Sequence, residues 1–162
     1  MSQPVVYLLC GLTGSGKTEY AKRLEARGCV RLSVDEVIHA RHGRYDVEYP
    51  AGDYPRYYEE AVVGLDRQLV TLLEAGQPAV LDYGLWQRAS RDRYKTLVEA
   101  HGGRWELLYF KAEPDVLRRR LAARNLRADA NALRISDDML ADFIARFEEP
   151  TGEDETVLAQ TA

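Results

Sequence analysis

The run Gly11-Leu12-Thr13-Gly14-Ser15-Gly16-Lys17-Thr18 constrains this chain more than any other feature. It fits the pattern G-x-x-x-x-G-K-[ST] at every fixed position. The glycines let the backbone curl so that successive N–H groups point inward, with no Cβ to hold phosphate oxygens away. A helix following the loop aims its positive N-terminal end at the same anion. The flanks supply that setting: Val5–Cys10 is a short apolar run, and an amphipathic stretch begins within Gly16–Thr18. All eight loop residues are therefore candidates for binding a nucleoside polyphosphate. Lys17 is expected to reach the β/γ-phosphates, and the Thr18 hydroxyl is expected to ligate Mg²⁺.

Guanine-nucleotide switch proteins share such a loop. They also carry an Asn-Lys-x-Asp motif that reads guanine and an Asp-x-x-Gly switch motif, and this sequence contains neither. ATP is accordingly the expected nucleotide.

The rest of the chain alternates short apolar runs with longer amphipathic stretches, the pattern of an α/β fold built on a parallel sheet. Strands are predicted at Val5–Cys10, Cys29–Leu32, Pro78–Leu81 and Trp105–Phe110, with a weaker one at Thr156–Gln160. Near-continuous apolar character suits strands covered on both faces. The first helix runs to about Arg27, where Gly28 can terminate it. A second follows Pro55, its apolar stripe formed by Tyr58, Ala61, Val62, Leu65, Leu69, Leu72 and Leu73, with Gly76 and Pro78 ending it. Ser90 is placed as the cap of a helix to Ala100, Pro114 opens one towards Arg124, and Ser136 caps a last one that Pro150 stops. Two segments break the alternation: 43–54, read as a surface loop, and 125–135, read as an irregular insertion of the kind that often serves as a lid.

With 162 residues the chain is expected to form one domain, 1–162. Twenty-two basic and 26 acidic residues leave a net charge of −4, which argues against a general nucleic-acid binder. A hydrophobic content of 46% suits a packed core rather than a disordered chain. No apolar run is long enough to span a membrane, and no basic segment precedes Val5–Cys10 to make it a secretory signal. The expectation is a cytoplasmic protein with no membrane partner and an undetermined oligomeric state. Cys10 and Cys29 sit among apolar neighbours and read as buried free thiols. His39, His42 and His101 lack metal-ligand spacing.

Three further places carry candidate chemistry. Asp35, just after the second strand, falls where an open α/β sheet places its ligand. It can accept a proton from an attacking hydroxyl as general base, or it can be a helix N-cap, with Ser33 or Asp35 satisfying the free N–H groups before Val37 and Ile38. Asp82 ends the third strand, suited to hold Mg²⁺ through water, to position substrate, or simply to turn the chain before Tyr83 and Gly84. Tyr83 and Trp86 follow it, able to line an acceptor pocket or to pack in the core. In the run Arg118, Arg119, Arg120, Arg124 and Arg127, the residues Arg120 and Arg124 share one helical face. They suit the spread charge of a transferring phosphoryl group, or they form a solvated face.

Taken in order, Gly11–Thr18, Ser33-Val34-Asp35-Glu36, Leu81-Asp82-Tyr83-Gly84-Leu85-Trp86, Arg120 to Asn125 and Phe147-Glu148-Glu149-Pro150 resemble the bacterial "predicted kinase" ATP-binding proteins of the P-loop kinase class. Chloramphenicol phosphotransferase, zeta toxin, polynucleotide 5′-kinase and gluconate kinase are similar. The resemblance implies a three-layer P-loop kinase fold with a five-stranded parallel sheet in order 2-3-1-4-5 and a helical lid at about 118–138. It implies MgATP as donor and a hydroxyl-bearing small molecule as acceptor, with Asp35 as base and Arg120 and Arg124 as lid arginines. The adenine-contacting region is expected to be short. The alternatives are a regulatory ATP-binding NTPase and a polynucleotide 5′-hydroxyl kinase, the latter disfavoured by the acidic balance. No signature identifies the acceptor, whose specificity is expected to lie in 39–60 and 83–90.

Overall fold

The central apolar runs, Val5–Cys10 and Ala79–Leu81, became largely buried strands because both faces of the sheet are covered there, whereas the edge run Glu155–Gln160 is exposed or half-buried throughout, as the computed structural model shows for residues 3–126 and 135–160. In chain order the elements are β1 (Val5–Cys10), α1 (Lys17–Ala26), β2 (Val30–Leu32), α2 (Val34–His42), a 3₁₀ turn (Ala51–Asp53), α3 (Tyr54–Glu74), β3 (Ala79–Leu81), α4 (Arg88–Ala100), β4 (Arg104–Ala112), α5 (Pro114–Arg124), α6 (Asp137–Arg146) and β5 (Glu155–Gln160). The five strands are parallel and lie in the order β2-β3-β1-β4-β5, as the resemblance implied. Val6 is level with Ala79 on one side and Trp105 on the other, and Leu8 with Leu81 and Leu107.

Alternation along the central strand divides the core. Val6, Leu8 and Cys10 join Leu65, Leu69 and Leu73 of α3, and Tyr94 and Val98 of α4, on one face. Leu9 turns the other way, to Ala21 and Leu24 of α1 with Val80, Leu108 and Phe110. A third cluster, Leu117, Leu121, Ile135 and Leu140, packs α5 against α6. The chain leaves β1 towards β2 and leaves β3 in the opposite direction, towards β4. The crevice between such diverging connections, beyond the carboxyl ends of the strands, is where this architecture binds ligands.

Several boundaries differ from expectation for local reasons. The segment after Ser33 is helical: Ser33 is the N-cap, its Oγ accepting from the Glu36 N–H at 3.2 Å, which puts Asp35 inside the first turn of α2. Helix α4 begins at Arg88, not Ser90, because the Glu148 carboxylate accepts from the Arg88 N–H at 3.3 Å. Helix α6 stops at Arg146, before Phe147 turns to extended backbone. Helix α3 starts at Tyr54, one residue before Pro55. Cys10 is buried as expected, whereas Cys29 is half-exposed. Arg127 and the greater part of the 125–135 insertion lie outside the described residues. Its two ends are joined nonetheless: Asn125 donates through Nδ2 to the Ile135 carbonyl at 3.1 Å and accepts from the Ile135 N–H at 3.0 Å. Among the described residues no helix is long and apolar enough to cross a membrane.

Candidate active site

The phosphate loop bridges β1 and α1 at the carboxyl edge of the sheet. Gly16 has φ of 101°, a conformation that favours glycine; a Cβ there would stand 3.0 Å from Gln160 Oε1 and 3.4 Å from Arg120 Nη1, both ends of flexible side chains. Gly11 is similarly closed in, with the Phe110 carbonyl 3.0 Å from where its Cβ would be. The Gly11 N–H donates to the Gly84 carbonyl at 3.1 Å, and the Ser15 N–H to the Leu12 carbonyl at 3.1 Å. Lys17 folds over the loop, donating through Nζ to the Gly11 and Leu12 carbonyls at 2.9 and 2.8 Å. Burial pushes this ammonium down to about 8; Asp82 opposes the shift and Arg124 adds to it. A polyanion in the loop would restore the charge that burial disfavours.

Asp82 meets the loop at Thr18, whose Oγ1 donates to Oδ2 at 3.1 Å. A hydroxyl and a carboxylate at this spacing are hard oxygen donors of the kind Mg²⁺ takes alongside phosphate oxygens. The pair fits a nucleotide-borne Mg²⁺. Among the described residues no group of three or more His, Cys, Asp or Glu side chains is placed to cage a metal.

Across the cleft, Asp35 accepts from Tyr54 Oη through Oδ1 at 2.7 Å. Burial raises its carboxyl above the usual range; the Tyr54 hydrogen bond, Arg124 and Lys17 pull it down, and Asp82 pushes it up. Tyr54 arrives from the start of α3, in an aromatic cluster where its ring meets Tyr45 edge-on at 5.4 Å and lies 6.0 Å from Tyr58. His42 stacks on Tyr57 at 3.5 Å, a structural role consistent with its lack of ligand spacing.

One open cleft of about 1500 Å³ joins these groups. The loop residues Thr13, Gly14, Gly16, Lys17 and Thr18 line it, with Asp35, Asp82, Tyr83, Trp86, Arg120 and Arg124. Arg120 donates to the Gly14 carbonyl at 3.3 Å, which sets α5 directly over the loop. Tyr83 and Trp86 part company here. Tyr83 is buried and its hydroxyl pairs with that of Tyr94 at 3.1 Å, chiefly a core arrangement. Trp86 is half-buried, packs on Phe143 at 4.8 Å, and has the Arg146 guanidinium 5.5 Å above its ring.

Sequence reasoning missed four contributors. The loop expected at 43–54 contains Tyr54, and Tyr58 belongs to an apolar stripe that signals only core. Arg31 carries a signal of its own, a charge inside an apolar strand, and donates to Asp82 through Nε and Nη2 at 2.9 and 2.7 Å. Arg146 gave no signal, since its stacking on Trp86 depends on how α6 docks.

Comparisons with known proteins agree with this fold. A kinase candidate from Chloroflexus aurantiacus is similar at a TM-score of 0.75 and 19% identity, over 99% of this chain and 86% of that one. A gluconokinase from Sinorhizobium meliloti 1021 gives 0.62 and 18%, over 98% and 84%. A chain of the Pnkp1/Rnl/Hen1 RNA repair complex gives 0.72 and 17%, over 90% of this chain but only 44% of its own length. The likeness thus extends to several kinases and does not single out chloramphenicol phosphotransferase, zeta toxin or polynucleotide 5′-kinase. No curated protein matches the sequence. The AAA domain family model matches residues 6–150. With a phosphate loop, a parallel sheet in P-loop kinase order and that match over most of its length, the chain belongs to the AAA domain family.

Proposed function

We propose that the protein is an ATP-dependent phosphotransferase that moves the γ-phosphate of MgATP to a hydroxyl of a small molecule, in one catalytic domain, 1–162, with a lid at about 118–138. The observation that carries this is the pairing, across one cleft, of a phosphate loop closed by Thr18 and Asp82 with a Tyr54-held carboxylate at Asp35. A loop alone would serve any nucleotide binder. A carboxylate facing the loop, one oxygen held by Tyr54, is what an acceptor hydroxyl needs.

In this reading Lys17 leaves the loop carbonyls and neutralises β/γ oxygens, while Thr18 and Asp82 hold Mg²⁺. When bound, the metal draws charge from the β- and γ-phosphates. Arg120 and Arg124 of α5 close over the transferring group, excluding water that would otherwise hydrolyse it. The acceptor lies against Asp35, Tyr83 and Trp86.

Lys17→Ala should abolish transfer, because the loop loses its only cation and catalysis of this kind is mostly charge stabilisation. Single-turnover label transfer from [γ-³²P]ATP checks this; transfer at wild-type rate in Lys17→Ala would remove the loop from the chemistry.

Tyr54→Phe should act through Asp35. Losing its hydrogen bond removes a stabiliser of the ionised form, so the carboxyl moves further up. Since a base works only when ionised, the acid limb of the kcat/KM profile should shift to higher pH. Lys17, Arg124, Asp82, Tyr49 and Tyr58, the other groups that share Asp35's electrostatic surroundings, remain in place. An unmoved limb with a lower plateau would mean that Tyr54 matters for packing alone.

The fold likeness to the RNA repair complex keeps a second reading in view, transfer to a polynucleotide 5′-hydroxyl. Labelling of a 5′-hydroxyl oligonucleotide would favour it, with binding that weakens steeply with salt.

A further inference from the structure

One buried charge at the cleft has no part in the proposed transfer. Arg31 is the middle residue of β2, between Val30 and Leu32. Its side chain is 7% exposed and that of Asp82 is 3%. Nε and Nη2 both donate to Asp82 Oδ2, at 2.9 and 2.7 Å. Thr18 Oγ1 lies nearer to that same oxygen, 3.1 Å against 3.4 Å to Oδ1. On the other side, Arg31 Nη1 reaches Glu36 Oε1 at 3.4 Å. Glu36 stands beside Asp35 in the first turn of α2. A line of side chains therefore runs from the phosphate loop through Asp82 and Arg31 to the helix that carries Asp35.

We propose that Arg31 is a positioning residue that holds Asp82 neutralised, so that the site takes its divalent cation together with the nucleotide's phosphates and not on the protein alone. This rests on the reading of Thr18 and Asp82 as the Mg²⁺ ligands. Mg²⁺ dehydrates reluctantly and needs anionic oxygens to hold it. With a guanidinium on Oδ2, Asp82 offers little net charge and chiefly its other oxygen, Oδ1. The guanidinium does not step aside for the metal, because separating a buried pair leaves an uncompensated charge in the interior. The missing anionic charge is supplied by ATP. Coupling metal to nucleotide in this way keeps a bare cation from occupying the cleft, and it ties the metal side of the site to α2.

Mn²⁺ binding to the nucleotide-free protein, read from the free Mn²⁺ signal in electron paramagnetic resonance, tests this without turnover. Wild-type protein should bind Mn²⁺ weakly, and Arg31→Gln at least about fivefold more tightly. That factor is what one unit charge at ~4 Å produces even with water-like screening. Arg31→Lys keeps the charge and should bind like wild type. An Arg31→Gln affinity equal to or weaker than wild type overturns the proposal. Should Arg31→Gln be only marginally folded, its melting temperature should rise with millimolar Mg²⁺ in the absence of nucleotide, while that of wild type stays still; no such rise also overturns it. Failure of the metal reading itself would look different. Wild-type protein with bound ATP would then hold Mn²⁺ no better than free ATP does, and the proposal would fall with it.

Discussion

Asp35→Asn is expected to lower kcat by about 10²- to 10⁴-fold while leaving ATP affinity unchanged. The carboxylate lines the same cleft as the phosphate loop and is held by Tyr54, so in the proposed reading it serves the acceptor and is not a ligand of the nucleotide. In the proposed transfer, one Asp35 oxygen would take the acceptor's proton as the new O–P bond forms and the bond to the ADP oxygen breaks. The other, Oδ1, stays with Tyr54 at 2.7 Å. Asparagine keeps the shape and can still accept one hydrogen bond, but it cannot take the proton. Burial already holds this carboxyl above the usual range, which brings its proton affinity closer to what a base needs at neutral pH. Fluorescent-ATP binding and single-turnover transfer, measured on the same preparation, separate the two effects. Full turnover in Asp35→Asn would strip Asp35 of the base role.

The second large effect concerns stability. Arg91 of α4 is wholly buried and pairs with the Glu153 carboxylate through Nε at 2.8 Å and Nη2 at 3.0 Å. Its Nη1 donates to the Leu85 carbonyl at 2.8 Å, and Lys95 donates to the Glu153 carbonyl at 2.9 Å. These bonds tie the segment before β5 to the loop that carries Trp86. Arg91→Met strips the buried Glu153 carboxylate of its two guanidinium hydrogen bonds, leaving only the Lys95 ammonium 3.9 Å away, and should cost about 3–5 kcal/mol. For a domain of this size that lowers Tm by on the order of 10 °C. Combining it with Glu153→Leu should restore most of the loss, since an apolar pair of similar volume replaces a buried ion pair at little cost. Burial acting alone would raise the Glu153 carboxyl, but the hydrogen bonds and charge of Arg91, with Lys95, more than offset it and hold the group low. A lowered carboxyl stabilises the fold above its ordinary value of 4.5 and loses that contribution as pH falls further. The Tm gap between wild type and Arg91→Met should therefore narrow on acidification. A gap of equal size at pH 7 and pH 3 would show that the pair's charge is not what stabilises it.

Much of this was legible in the sequence because it is local. The phosphate loop is contiguous, and its geometry follows from glycines at fixed spacing. Apolar runs such as Val5–Cys10 and the stripe along α3 announce buried elements whatever their partners. Asp35 and Asp82 could be placed at strand ends, yet their roles stayed open, because a strand-end carboxylate can equally turn the chain or cap a helix. Distances resolved part of that: Ser33, not Asp35, is the cap, and Asp82 meets Thr18. What stayed hidden was long-range. Tyr54 and Asp35 are 19 residues apart, Arg31 and Asp82 51, Arg91 and Glu153 62. No periodicity encodes those pairings. Glu148 stands in a sequence motif, but that it caps α4 in place of Ser90 depends on the segment after α6 reaching the start of α4.

The partition of the γ-phosphate tests the central claim most directly. Wild-type protein is incubated with [γ-³²P]ATP, Mg²⁺ and a pool of small hydroxylated metabolites, with Lys17→Ala as the blank, and the label is followed into organic phosphoester and into inorganic phosphate. Transfer to an acceptor predicts an acid-stable phosphoester that forms only with wild-type protein and only when the pool is present. Label that ends solely in inorganic phosphate, at a rate no component of the pool changes, would contradict it and leave a nucleotide hydrolase in its place.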